Sequence, residues 1–437
     1  MKGESIFMET NFKTDRDFAI EMDQKDPLAR MKDKFHIPEN TIYMDGNSLG
    51  LASVNAKEKL ERALKDWEEL GIKGWLDAES PWFYLPEKLG EKMAPLVGAE
   101  PDEVVMTGST TTNLHSLVST FFKPWEGRTR IIGDMLNFPS DIYALRSQMI
   151  HHNLDPEKNL VLIPGKDGIF IDEDSVIAEM DETVSIVLLP SVLYRSGQLL
   201  DMKRLTEEAH KRGIIIGFDC AHSAGSVPHH FDDDGVDFAF WCSYKHLNGG
   251  PGSPAFLYIN RKHFEMEPGL AGWFGYKKDR QFDLAVEFDH SRSAGGWQMG
   301  TPPIFSAAAL EGSLELFSEA GIEEVREKSL LLTSYMIFLV DNVLSSSPYN
   351  YRIGSPREDF RRGGHLAVEH SEEAWRICCA LKSRNIIPDF RPDSVIRLAP
   401  VALYNSFTDV WDTVQALKEI IDNREYENFN PERDAVS

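Results

Sequence analysis

Cysteine is scarce in this chain of 437 residues: Cys220, Cys242, Cys378 and Cys379, with no C-x-x-C spacing among them. Four such residues make neither a disulfide framework nor a zinc ribbon, and they point to a reducing compartment. Long apolar runs are missing too, since no stretch reaches the roughly 18 uncharged residues a spanning helix needs. The opening MKGESIFMETNFKTDRDFAIEMDQKD holds no apolar signal core. A soluble, cytoplasmic protein without a membrane partner is the expectation. Positive charge is outnumbered, 46 Lys and Arg against 70 Asp and Glu, for a net charge of −24. Long-range attraction to nucleic acid is therefore excluded. No G-x-x-x-x-G-K-[ST] loop occurs and no G-x-G-x-x-G follows the first predicted strand, which disfavours nucleotides. The adjacent pairs His151–His152 and His229–His230 point to opposite sides of any regular element, so no metal site is expected.

What the chain does have is a series of short β-branched runs: VVMTG, TRIIGD, NLVLIP, VSIVLLP, GIIIGFD, VDFAFWCS and PAFLYIN, between Val104 and residue 260. Amphipathic stretches such as NLHSLVSTFF, SDIYALRSQMIHH and DMKRLTEEAHKRG lie between them. Continuous apolar strands alternating with helices predict a parallel sheet buried on both faces. From Pro302 to Gly321 a long helix is predicted, and then NYRIG, GGHLAVEH, EEAWRICCALKSRN, SVIRLAP and DVWDTVQALKEIID read as a smaller α+β unit. The expected division is an N-terminal segment over 1–55 packing with the small domain, a large α/β domain over 56–310 and a small domain over 311–437.

Ligands of open parallel sheets sit beyond the carboxyl ends of the strands, so polar residues that follow the apolar runs carry the most information. In GIIIGFDCAHSAG, Asp219 and His222 stand at such an exit. A buried acid there needs a cationic partner. In WCSYKHLNGGPG, Lys245 follows the next run, where a partly desolvated amine becomes a nucleophile. In MTGSTTTNLHSL, Gly108 to Asn113 open a helix whose N–H groups and hydroxyls suit phosphate. In LNFPSDIYAL, Phe138 offers an aromatic face, with Ser140 and Asp141 beside it. Each feature alone has an ordinary reading as helix cap, surface lysine or core. Together they match the needs of one cofactor, pyridoxal 5′-phosphate. An amine anchors it, an acid keeps its pyridine nitrogen protonated, and a helix end holds its phosphate.

The order GSTTTN, FPSD, FDCAHSAG, CSYKHLN resembles the fold-type-I pyridoxal-phosphate enzymes of the aminotransferase class V kind. DGNSLGL, WCSYKHLNGG, GLAGWFG, GTPPI and IRLAPVALYNSF, with DPLARMKDKFHIP near the start, resemble the kynureninases in particular, over nearly the whole chain. The fold this resemblance implies is a mainly parallel central sheet sandwiched by helices plus a smaller α+β domain, in a homodimer with shared active sites. Carried over by position, it makes Lys245 the Schiff-base lysine, Asp219 the partner of the pyridine nitrogen and His222 a neighbour of the ring. Thr110, Thr111, Tyr244, Trp273 and Thr301 would hold the phosphate, the last two from the partner subunit. Phe138 would stack on the ring beside Ser140 and Asp141. Arg397 would clamp the substrate α-carboxylate, with Asn47, Ser48, Trp75 and Gly300 completing the substrate pocket.

The implied reaction is hydrolysis of L-kynurenine, or its 3-hydroxy analogue, to an anthranilate and L-alanine, in tryptophan catabolism or NAD biosynthesis. Tyr244 is either its acid/base group or a phosphate ligand. Trp75, an apolar wall, favours kynurenine over the hydroxylated substrate. One departure is Pro190, where a small polar residue is expected before SGQ. The rival readings are another pyridoxal-phosphate lyase, epimerase or transaminase, or a binding protein that kept the fold without turnover.

Overall fold

A computed structural model of the chain describes residues 11–124 and 127–432. Asp15 caps the helix Arg16–Lys25 by accepting the Phe18 N–H. That helix packs on the far end of the chain, for Phe18 and Ala19 share a core with Phe407, Val410 and Val414. Arg16 pairs with Asp412 at 3.0 Å, and a buried Lys328–Asp26 pair closes at 2.6 Å. Strand β1 (Ile42–Tyr43) runs parallel to β11 (Ile386–Ile387).

The seven apolar runs of the sequence become seven strands of one sheet: β2 (Val104–Met106), β3 (Arg130–Asp134), β4 (Leu160–Ile163), β5 (Val184–Pro190), β6 (Ile215–Asp219), β7 (Phe238–Cys242) and β8 (Ala255–Ile259). Their spatial order is β2-β8-β7-β6-β5-β3-β4. Successive side chains enter opposite cores, as the two-residue period of a strand requires. Val187 and Leu189 of β5 join one core with the helices Leu85–Val97 and Ile304–Ala320. Ile186 and Leu188 join the other with Thr110–Phe121 and Pro139–His151. Each such buried aliphatic side chain contributes roughly 1.5–3 kcal/mol. Burial on both faces explains why these runs show no polar alternation.

PAFLYIN is the exception to the parallel reading, because β8 runs antiparallel to both β2 and β7. A parallel return needs a crossover of about a dozen residues or more, usually helical. The link from β7 to β8 is instead a coil that turns sharply at Asn248, Gly250 and Gly252, all with positive φ. The sheet is mainly parallel.

The second sheet is antiparallel, in the order β12 (Asp389–Arg391), β13 (Val395–Leu398), β10 (Leu366–Glu369), β9 (Arg352–Ile353). The helices Ala374–Ser383 and Phe407–Asp422 share its core. Strands β1, β11 and β12 escape the sequence reading, since two or three residues are too few to display a period. Among the described residues, no helix is long and apolar enough to cross a membrane.

Candidate active site

The carboxyl ends of β2, β6 and β7 and the loop after β3 meet residues of the small sheet around a cavity of about 390 Å³. Lys245 follows β7, and its Nζ lies 2.9 Å from His222 Nε2, three residues beyond the end of β6. Asp219 ends β6 with its carboxylate held by the Ala221 N–H at 2.8 Å. Burial raises the Asp219 carboxyl, and the Lys245 charge opposes that rise. Asp141 is buried beside it and is pushed well above the usual carboxylate range by burial and by Asp219. Asp141 is raised the further of the pair and so is the carboxyl that more readily holds a proton, while the Lys245 charge favours the ionised form of Asp219. Burial, with Lys245 next, holds the His222 imidazole well below its ordinary value, so it is neutral.

Ser109, Thr110 and Thr111 line the wall after β2. Gly108 makes the preceding turn at φ +55, where a Cβ would sit 2.6 Å from Asn113 Oδ1. Asn113 in turn ties the turn down through Thr107 O and Phe256 O, at 2.9 and 3.2 Å. Phe138 caps the helix Pro139–His151, and its half-exposed ring meets Tyr194 edge-on at 5.5 Å. At the opposite wall Arg397 is fully buried. It donates through Nη1 to Tyr194 O at 2.7 Å and through Nη2 to Ser48 Oγ at 2.8 Å, and it pairs with Asp389. The cavity thus holds an amine, a buried carboxylate, a hydroxyl-rich helix start, an aromatic face and a guanidinium.

Two family models match: "Aminotransferase class-V" over residues 42–369 and "Kynureninase C-terminal domain" over 325–417. A kynureninase of Geobacillus thermodenitrificans is 55% identical, with 96% of this chain and 98% of the relative aligned. Those of Shouchella clausii and Bacillus cereus are 54% and 53% identical, over 97% and 98% of this chain and 98% and 99% of theirs. The chain belongs to the kynureninase family. Its fold is shared with a cysteine desulfurase from Thermococcus onnurineus, TM-score 0.76 at 18% identity over 90% of this chain and 98% of that one. A cystine C–S lyase gives TM-score 0.73 at 17% identity over 90% and 99%.

Of the residues expected from the kynureninase resemblance, Asn47, Ser48, Thr110, Thr111, Phe138 and Ser140 line the cavity. So do Asp141, Asp219, His222, Tyr244, Lys245 and Arg397. Trp75, Trp273, Gly300 and Thr301 do not. Trp75 packs against Trp82 and Phe274, with ring centroids 5.8 and 6.2 Å away. Trp273 is 46% exposed beside Phe282, and Gly300 and Thr301 are exposed. Pro190 pairs with Asp219 at the end of β5, and the polar contact comes from its neighbour: Ser191 donates to Asp219 O. Cys220 and Cys242 are buried, and burial pushes the Cys220 thiol up to about 12, which leaves it no nucleophile.

The sequence reading missed several wall residues, among them Tyr194, Ser253 and Arg391. Tyr194 and Arg391 follow β5 and form β12, and position after a strand was the available signal for the first. It also missed a buried group of three imidazoles, His222, His246 and His365, whose ring nitrogens approach within 4.8 Å of one another. Lys245 and Arg397 lie near enough to depress these histidines further, and that positive field opposes a divalent cation.

Neutral buried histidines make the protein acid-sensitive. Burial pulls His229 and His246 down to about 3, against roughly 6.5 in an unfolded chain. Between those values the unfolded state binds protons that the folded state does not, so stability falls as pH drops through this window. Burial raises Asp45 to about 6 and Asp134 to about 7. These two act in the opposite sense, since the folded state takes up their protons first as pH falls. A His229→Gln variant removes one histidine alone. Its unfolding free energy in urea is expected to fall by on the order of 2 kcal/mol less than the parent's between pH 6.5 and 5. Equal losses in both proteins would show that His229 is not held neutral.

Proposed function

We propose that the chain hydrolyses the Cβ–Cγ bond of L-kynurenine with pyridoxal 5′-phosphate, giving anthranilate and L-alanine, and cleaves 3-hydroxy-L-kynurenine likewise to 3-hydroxyanthranilate. The observation that carries the proposal is the convergence of Lys245, Asp219 and Arg397 on one cavity in a chain of the kynureninase family. The side chains fit the cofactor: an amine facing the cavity, a buried anionic carboxylate and a helix start rich in hydroxyls. When bound, pyridoxal phosphate supplies the electron sink that carbon–carbon cleavage needs.

Lys245 would hold the cofactor covalently when it is bound, and its amine would move the proton at the substrate Cα. Its neighbour His222 is neutral and so competes for no charge. Asp219 would keep the proton on the pyridine nitrogen, with the buried Asp141 carboxyl beside it. Thr110, Thr111 and Tyr244 would hold the phosphate, and Phe138, Ser140 and Asp141 would contact the ring. Burial raises the Tyr244 phenol and keeps its proton in place. That suits donation to the γ-carbonyl oxygen as water adds there, a contribution of roughly 10²–10⁴. Arg397, with Asn47 and Ser48, orients the α-carboxylate.

Trp75 and Gly300 belong to the aryl end of the site, and Trp273 and Thr301 of the partner subunit complete the phosphate end of a homodimer. Exposed apolar side chains support that assembly: Phe282, which meets Trp273, and Leu284 and Val286 a few positions on all stand out to solvent. The division into 1–55, 56–310 and 311–437 is part of this reading, as is a cytoplasmic location, which the four free cysteines favour. Incubating the holoenzyme with either substrate is expected to yield the anthranilate and alanine in equal amounts, with kcat/KM favouring kynurenine. Ammonia, pyruvate or an oxo acid as the main product would sink the reaction, and a tenfold advantage for the hydroxylated substrate would sink the preference alone.

A further inference from the structure

We infer that Arg391 is a second guanidinium for the substrate α-carboxylate, held together with Arg397 by Asp389. The inference rests on the reading of the cavity as a kynurenine site. Arg397 is poorly placed to serve alone. Its side chain is 1% exposed, Nη1 already serves Tyr194 O, and Nη2 faces both Ser48 Oγ and the Asp389 carboxylate. The end-on fork of a guanidinium, two nitrogens offered to two oxygens, is thus already in use within the protein.

Arg391 has what Arg397 lacks. It lines the same cavity with its side chain 27% exposed, and its one ionic partner among the described residues is Asp389, at 3.0 Å from Nη2. Its Nε is buried and meets no acceptor, a feature it shares with Arg397, so the difference between the two lies in exposure and in the occupied Nη groups of Arg397. Strand geometry brings the three charges together: β12 and β13 are antiparallel with Asp389 opposite Arg397, and Asp389 and Arg391, two apart on β12, share a face.

The same oxygen, Asp389 Oδ2, faces both guanidiniums. One carboxylate therefore sits between two cations. A second acid, Asp45, is raised to about 6 by burial and by Asp389, so it is still mostly ionised near neutral pH and offsets much of the second positive charge. Neither Asp389 nor Asp45 lines the cavity, so the exposed side of the Arg391 guanidinium meets neither acid there, and a substrate α-carboxylate supplies the anion on that side. A ligand with an amine but no α-carboxylate leaves that side of Arg391 without an anion. Asp389 is the positioning residue, since it touches both guanidiniums and does not line the cavity.

The test compares the parent, Arg391→Gln and Arg391→Lys holoenzymes on L-kynurenine and on its decarboxylated analogue, which keeps the amine and the aryl ketone. Binding of the analogue is read from the change in cofactor absorbance. For R391Q we expect KM for kynurenine to rise about tenfold to a hundredfold, the size of a lost charge-assisted contact. We expect kcat to stay within about threefold and affinity for the analogue to be unchanged. R391K, which restores the charge without the planar fork, should recover part of the loss. A kynurenine KM within twofold of the parent's overturns the inference, as does an equal loss for the analogue, which would mark a merely structural arginine. Should R391Q not fold, R391K is read on the same two ligands by the same criteria. A parent that makes no anthranilate from kynurenine is a different failure, that of the substrate reading itself.

Discussion

Lys245→Ala is expected to leave a folded protein whose rate of anthranilate release is at least about 10⁴-fold below the parent's. On the proposed reading two functions disappear with one amine: the covalent hold on the cofactor and the group that moves the Cα proton. Neither has a substitute nearby. The nitrogen hydrogen-bonded to Lys245 Nζ is His222 Nε2 at 2.9 Å, on a ring that burial keeps neutral. It cannot form the covalent link. The parent protein should be yellow, with a visible absorbance that borohydride abolishes, and the K245A protein should have no such borohydride-sensitive band. Turnover by K245A within a hundredfold of the parent would remove Lys245 from the mechanism.

Lys245 was legible because its surroundings are anomalous: a charge only three positions beyond five buried strand residues, Phe238–Cys242, has few structural reasons to be there. Asp219 was legible for the same reason, at the end of Ile215–Asp219. The large sheet could be read because each strand is buried on both faces, which writes itself into sequence as an unbroken apolar run. The direction of β8 could not be read that way, since burial carries no polarity along a strand. Arg391 and Asp389 lie on a three-residue strand whose partner is found only in space. The imidazole group of His222, His246 and His365 combines three distant segments, and no local pattern marks it. Trp75, Trp273, Gly300 and Thr301 came from family resemblance alone, and the cavity of a single chain does not reach them.

Asp219→Asn separates the two buried acids beneath the cofactor site. Asparagine can still accept the Ala221 N–H that Asp219 Oδ1 takes at 2.8 Å, so the backbone after β6 keeps its shape. What it loses is the negative charge that the proposed reading sets against the pyridine nitrogen. Breaking one partner of a buried ion pair costs about 3–5 kcal/mol, or roughly 10²–10⁴ in rate when the pair is needed in the transition state. Asp141→Asn should behave differently. Burial and the neighbouring Asp219 already keep the Asp141 carboxyl protonated, and an amide N–H can replace the acid O–H as the donor to Asp219. A loss of no more than about tenfold is expected, the scale of one hydrogen bond of altered geometry. Measured side by side as kcat/KM for kynurenine at neutral pH, the two variants read out which carboxyl carries the charge. Equal losses would mean that the proton is shared evenly between the two acids, and a larger loss in D141N would place the anion on Asp141.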